Sequence, residues 1–220
     1  MAPVSLFDTV SIGSVQTRNR ICIPPMVIYK ISDESGMVKP QNVAHYRALA
    51  KGGAGLIIQE ATCISPEGRL SEDQLGIWSD DQIPGLREIT EAVHQEGCPI
   101  FVQLHHAGLV SIGQDTLCPS DYAMDTKKGW KNGHEMTRDD ILRIRDAFIR
   151  AAVRAEKAGY DGVELHGCHG YLLCQFLNNR VNCRTDEYGK PERLVLEILE
   201  GIRASVRPDF IVAFAWARLD

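Results

Sequence analysis

The 220-residue sequence contains no apolar run approaching the ~18 residues that a membrane-spanning helix requires, so no helical membrane span is expected. Its first residues, Met1-Ala2-Pro3-Val4, carry neither a charged n-region nor a long apolar stretch, and no secretory signal is expected. The seven cysteines (Cys22, Cys63, Cys98, Cys118, Cys168, Cys174 and Cys183) never fall at C-x-x-C spacing, and an odd number suits reduced thiols. The expected location is therefore cytoplasmic. No Gly-x-Gly-x-x-Gly follows any apolar run, which leaves a dinucleotide-binding Rossmann domain unsupported. Positive charge is in deficit: 24 Lys and Arg against 29 Asp and Glu give a formal net charge of -5, which argues against nucleic acid or an anionic membrane as partner. Low-complexity tracts, charge runs and linkers are also missing, so residues 1–220 read as one domain with one sizeable core.

What is present is alternation. Short apolar runs rich in β-branched residues lead into polar segments and then into helical periodicity. The expected strands are Arg20-Ile21-Cys22-Ile23-Pro24, residues 54–60, residues 99–104, residues 161–166 and residues 210–214. Continuous apolar strands of this kind suit a buried parallel sheet. Helices are expected over residues 42–51 before Gly52-Gly53, over 84–95 before Gly97, from Thr137 to Gly159, and over 191–206. Thr137-Arg138-Asp139-Asp140 has capping-box spacing, with Asp in place of Glu. Beyond it Ile141, Ile144, Phe148, Ala151, Ala152 and Ala155 form one apolar face. The pattern predicts an α/β fold with right-handed crossovers. Five strands do not close an eight-stranded barrel, so an open doubly wound sheet is the alternative to part of a (β/α)8 barrel.

Chemistry-bearing residues gather where strands end, the place at which barrel enzymes build their sites. The first strand runs into Pro24-Pro25-Met26-Val27-Ile28-Tyr29, and the second ends Gln59-Glu60-Ala61-Thr62. The third carries Gln103-Leu104-His105-His106-Ala107-Gly108, and the fourth His166-Gly167-Cys168-His169-Gly170-Tyr171-Leu172-Leu173. No Cys, Asp or Glu set near His166 and His169 completes a metal site at the usual spacing, so no metal is expected. A buried Gln103 needs polar partners in any fold. His105 and His106 divide between the margin of a site and plain packing, packing being favoured.

From Leu6 to about Val206 the chain resembles the Old Yellow Enzyme, or NADH:flavin oxidoreductase, family. The motif His-x-x-His-Gly-Tyr-Leu at 166–172, followed by Arg-Thr-Asp-Glu-Tyr-Gly at 184–189, carries the resemblance together with residues 103–108. The resemblance implies a (β/α)8 TIM barrel, of which about five β/α units are present, and an FMN-dependent ene-reductase that spends NADH or NADPH on an activated alkene. It implies that Pro25, Met26 and Val27 lie against the flavin, that Ala61 contacts its ring, and that Gln103 bonds its pyrimidine edge. His166 and His169 would hold the substrate oxygen, Tyr171 would supply a proton, and Tyr29 would line the substrate side. Valine at 27, where relatives carry cysteine or threonine, removes a hydrogen bond to the flavin edge. Arg218 is the candidate for the arginine that the family's fifth strand usually presents to the flavin, and Arg184 or Arg218 would have to serve any phosphate grip.

Two further readings accompany this one. The chain could be a dienoyl-thioester or steroid reductase of the same superfamily, or a truncated barrel fragment without catalysis. Its open strand edges would then favour a homo-oligomer, and FMN would bind weakly to a monomer.

Overall fold

The computed structural model describes residues 4–113, 116–124, 127 and 131–217. A hairpin comes first: β1 (Val10–Ile12) and β2 (Val15–Thr17) pair antiparallel around Gly13, whose φ of 56° the tight turn requires. Then β3 (Cys22–Ile23), α1 (Pro40–Lys51), β4 (Leu56–Cys63), α2 (Ile83–His94) and β5 (Ile100–His105) alternate. Between β5 and the long α3 (Arg138–Ala158), β6 (Thr116–Cys118) and β7 (Gly133–Glu135) form a small parallel ladder. The chain continues through β8 (Gly162–Gly167), α4 (Leu172–Leu177), α5 (Arg193–Ser205) and β9 (Ile211–Trp216).

The main sheet has the order β3-β4-β5-β8-β9 with every pair parallel. Strand order follows chain order without reversal, and each long helix packs on the next, α1 on α2, α2 on α3, α3 on α5. A doubly wound sheet would reverse at a switch point and place helices on both faces. This is instead the wall of a partial (β/α) barrel.

Strand alternation separates two faces. Ile100, Val102, Leu104, Val163 and Leu165 point to the helices and join Ile89, Val93, Ile144, Phe148, Ile198 and Ile202 in one core. Phe101, Gln103 and His105 lie on the opposite face of β5, with Phe101 in register with Gly162 and Gln103 with Glu164 of β8. The helix ends follow the sequence signals. Thr137 Oγ1 accepts the Asp140 amide at 3.1 Å, and the Thr137 amide donates to Asp140 Oδ2 at 3.0 Å. The expected α3 stripe is buried throughout, and Gly159 closes the helix at φ 94°.

Some boundaries move. The first expected strand shrinks to Cys22–Ile23, because Pro24 and Pro25 have no N–H to extend the ladder. The second runs on to Cys63 past a register shift between Gln59 and Thr62. The β1–β2 hairpin, the β6–β7 ladder and α4 are additions to the expected elements. Among the described residues no helix is long and apolar enough to cross a membrane.

Candidate active site

After β8 the backbone turns sharply into α4, and the turn uses two successive left-handed residues, His169 at φ 59° and Gly170 at φ 75°. Glycine takes this conformation freely, whereas histidine gives up roughly 1–2 kcal/mol. Such strain persists where the placement of a side chain matters. Tyr171 then caps α4. One turn on, buried Gln175 clamps the corner. Its Nε2 donates to the carbonyl oxygens of Gly170 at 2.7 Å and Ala107 at 3.2 Å, and its Oε1 accepts from the Leu109 amide at 3.1 Å. Gln175 thus ties the loops after β5 and β8 together. Sequence reasoning does not single it out; the available signal was a lone polar residue within Leu-Leu-Cys-Gln-Phe-Leu.

The turn brings His166, His169 and Tyr171 together. Ring centroids lie 5.2 Å apart for His166 and His169, 4.8 Å for His166 and Tyr171, and 6.4 Å for His169 and Tyr171. His105 completes the cluster at 5.3 Å from His166 and 4.5 Å from Tyr171, edge-on to the tyrosine. The two adjacent histidines therefore part company. His105 joins the site, while His106 turns into packing, its Nδ1 accepting the Gly108 amide at 3.0 Å. Both ring nitrogens of His105 are buried without a protein partner.

Burial sets the charge state of this corner. It pushes His166 down to about 4, with His169 adding to the shift, and it holds His105 well below the ordinary histidine range, helped by His166 and His106. Tyr171 is half-buried, and burial raises its phenol above the usual value, with Tyr29 and Cys168 contributing. At neutral pH His105 and His166 are thus neutral imidazoles and Tyr171 a protonated phenol.

One expectation needs correcting. Cys168 does complete a set of possible metal ligands: its Sγ lies 3.5 Å from His166 Nδ1 and 3.7 Å from His169 Nδ1. Spacing along the chain hid this, because the left-handed turn folds i+1 back on i.

A second group lies across the neighbouring strands. Gln103 is buried, and its Nε2 donates to Glu164 Oε1 at 2.7 Å. Burial raises the Glu164 carboxyl while this hydrogen bond opposes the shift. Ala61 is buried at the end of β4, and its carbonyl accepts from Gln74 Nε2 at 2.7 Å. Pro25 and Val27 are half-buried, while Met26 and Tyr29 are 67% and 52% exposed. The loop that carries them is pinned by Glu60, whose Oε2 accepts the Ile28 amide at 2.8 Å. Sequence reasoning assigned no role to Glu60, Gln74 or Glu164. Arg218 lies outside the described residues. Within β9 the face shared with Glu164 and His166 carries Ala213 and Ala215. Arg184 is committed elsewhere: it pairs with Asp186 at 2.5 Å and Glu135 at 3.2 Å and donates to the carbonyls of Pro119 and Met136.

A parallel barrel wall with buried histidines, a tyrosine and an amide at the carboxyl ends of its strands is the layout of a barrel enzyme. Residues 5–217 match the model of the NADH:flavin oxidoreductase / NADH oxidase family, and the chain belongs to that family. It is 40% identical over 203 residues to a curated NADPH dehydrogenase of Halalkalibacterium halodurans, covering 90% of this chain and 59% of the relative. Among solved structures it superposes on morphinone reductase in complex with tetrahydroNAD with a TM-score of 0.87 at 30% identity, covering 96% of this chain and 63% of that one. The old yellow enzyme homologue from Zymomonas mobilis gives 0.86 at 34% identity, covering 96% and 62%. The chain therefore spans about three-fifths of the length of the relatives it matches.

Proposed function

We propose that the chain is part of the barrel domain of an FMN-dependent NAD(P)H oxidoreductase that reduces activated C=C bonds. The observation that carries this reading is the convergence of His166, His169 and Tyr171 at the end of β8, beside Gln103 on the adjoining strand.

The residues fit a flavin ring. Gln103 directs one N–H to Glu164, which leaves its carbonyl oxygen and second N–H to meet the donor and acceptor of a pyrimidine edge. Pro25, Met26, Val27 and small Ala61 offer apolar contact for a flat ring, with Met26 largely uncovered. When bound, FMN supplies a hydride drawn from NADH or NADPH. The chain's own residues do the rest. N–H groups of His166 and His169 hold a carbonyl or nitro oxygen and stabilise negative charge developing there. Tyr171 gives its phenolic proton to the carbon alpha to that group, and the bulk solvent later restores it. Tyr29 lines the substrate side, where its exposed ring can cover an apolar substrate.

The FMN-reconstituted protein tests the assignment in two half-reactions. Tyr171→Phe leaves reduction by NAD(P)H nearly unchanged and slows reoxidation by an enone by roughly 10²–10⁴-fold, the range for loss of a general acid. Equal slowing of both halves would refute the proton-donor role.

A further inference from the structure

The turn after β8 gathers a nitrogen, a sulfur and a second nitrogen whose ligand atoms all lie within 4.8 Å of one another. We propose that His166, Cys168 and His169 form a binding site for a thiophilic divalent cation of the zinc type, and that occupancy excludes substrate oxygen from the two histidines. The metal site stands on these three ligands alone, whereas the exclusion of substrate oxygen rests on the proposed function, which gives two of the same residues to substrate.

Distances carry the argument first. Zinc–sulfur bonds of about 2.3 Å and zinc–nitrogen bonds of about 2.0–2.1 Å, set at tetrahedral angles, place sulfur and nitrogen roughly 3.5 Å apart. The Cys168 Sγ to His166 Nδ1 distance is 3.5 Å, and Cys168 Sγ to His169 Nδ1 is 3.7 Å. The same Nδ1 atom of each imidazole faces the sulfur, so one ion can bond all three. Local conformation carries it next. The φ of 59° at His169 is what folds that side chain back toward its neighbour, and Gly170 absorbs the remaining turn. Ligand chemistry then narrows the ion. No carboxylate enters the set, so magnesium and calcium lack the oxygen donors they need, whereas one thiolate and two imidazoles suit zinc or cobalt. Three protein ligands leave the fourth tetrahedral position to water.

The step is a ligand exchange without electron transfer. The Cys168 S–H bond breaks, its proton passes to the buffer, and a metal–sulfur bond forms while the ion sheds water. Each binding event therefore releases about one proton.

The exposed thiols Cys22 and Cys183 are first replaced by serine, so that neither competes for metal. Anaerobic titration of this protein with Co²⁺ is expected to give intense tetrahedral d–d bands in the red and a thiolate charge-transfer band in the near ultraviolet. Both should saturate at one ion per chain, and Zn²⁺ should abolish them. Cys168→Ser removes the charge-transfer band and weakens Zn²⁺ binding by more than roughly 100-fold, since even an outer-sphere partner is worth ~10–100-fold. His169→Asn guards against misfolding, because His169 is exposed and asparagine tolerates the left-handed conformation. It should lower affinity with the unfolding transition unchanged. Cys174→Ser, a buried thiol outside the set, should change neither band. Weak octahedral bands alone, or a charge-transfer band that survives in Cys168→Ser, would overturn the site. Either result, with NAD(P)H reduction and enone reoxidation of the flavoprotein intact, would leave the oxidoreductase reading standing.

Discussion

Replacing Glu60 by glutamine isolates one buried ionisation whose sign and size follow from its surroundings. Glu60 is 1% exposed, and burial pushes its carboxyl up to about 7 against the opposing hydrogen bonds from Ile28 and Tyr46. The Ile28 amide donates to Oε2 at 2.8 Å, and the Tyr46 hydroxyl to Oε1 at 3.1 Å. Nearby Asp73 adds repulsion, and Tyr160 bonds the adjacent Gln59. A carboxyl raised in the folded state binds its proton more tightly there than in the unfolded chain. Its contribution to stability is therefore greatest below about pH 4.5, falls as pH rises through 7, and is flat above. A rise of about 2.5 units from 4.5 corresponds to about 3 kcal/mol at 1.36 kcal/mol per unit. Glutamine resembles the protonated acid: its carbonyl can accept the Ile28 amide and its N–H can meet the Tyr46 oxygen, with no charge to desolvate. The assay is urea unfolding of the two proteins from pH 4.5 to 8.5. The difference in stability should move in favour of Glu60→Gln by about 3 kcal/mol across that range. Histidines that titrate in the same window are common to both proteins and cancel in the difference. A flat difference would refute the claim that Glu60 is held at a raised value by burial.

Two other positions give sharp outcomes. If Glu164 orients Gln103 toward the flavin, Gln103→Ala and Glu164→Ala should each weaken FMN binding about ten-fold, and the double variant should lose little more; flavin fluorescence titration reads this as a coupling of about 1 kcal/mol, and additive losses would separate the two residues. Arg184→Met removes a cationic donor from the carbonyls of Pro119 and Met136 and should cost on the order of 2–3 kcal/mol in urea unfolding, with FMN affinity unchanged; lost affinity at equal stability would make Arg184 a phosphate ligand instead.

What was legible in the sequence is what periodicity and motif encode locally. The buried face of α3, its Thr137–Asp140 cap and Gly159 stop, and the apolar runs of β4, β5, β8 and β9 are each contained within a few residues. So is the alternation that sends Gln103 and His105 to one side of β5 and Leu104 to the other. The β6–β7 ladder and the β1–β2 hairpin were not legible, because three-residue strands leave too short a period to read.

The polar network around the site belongs to a different order of information. Gln103 meets Glu164 across 61 residues of chain, and Glu60 meets the Ile28 amide across 32. Neither pair has a spacing rule: parallel register sets Gln103 beside Glu164, and the loop after β3 folds back over β4 to bring Ile28 to Glu60. The motif names the groups that would touch substrate, and the register supplies the groups that hold them. Cys168 shows the limit most plainly. As sequence it is a small residue between two histidines, and an extended backbone would keep its side chain on the side of His166, two residues back, and turn it away from His169. The positive φ at His169 accompanies a turn in which that imidazole also meets the sulfur, at 3.7 Å, while His166 lies 3.5 Å away on the other side. Few residues other than glycine take that conformation, so the turn could be located in the sequence from Gly170, but not which side chain it would fold inward.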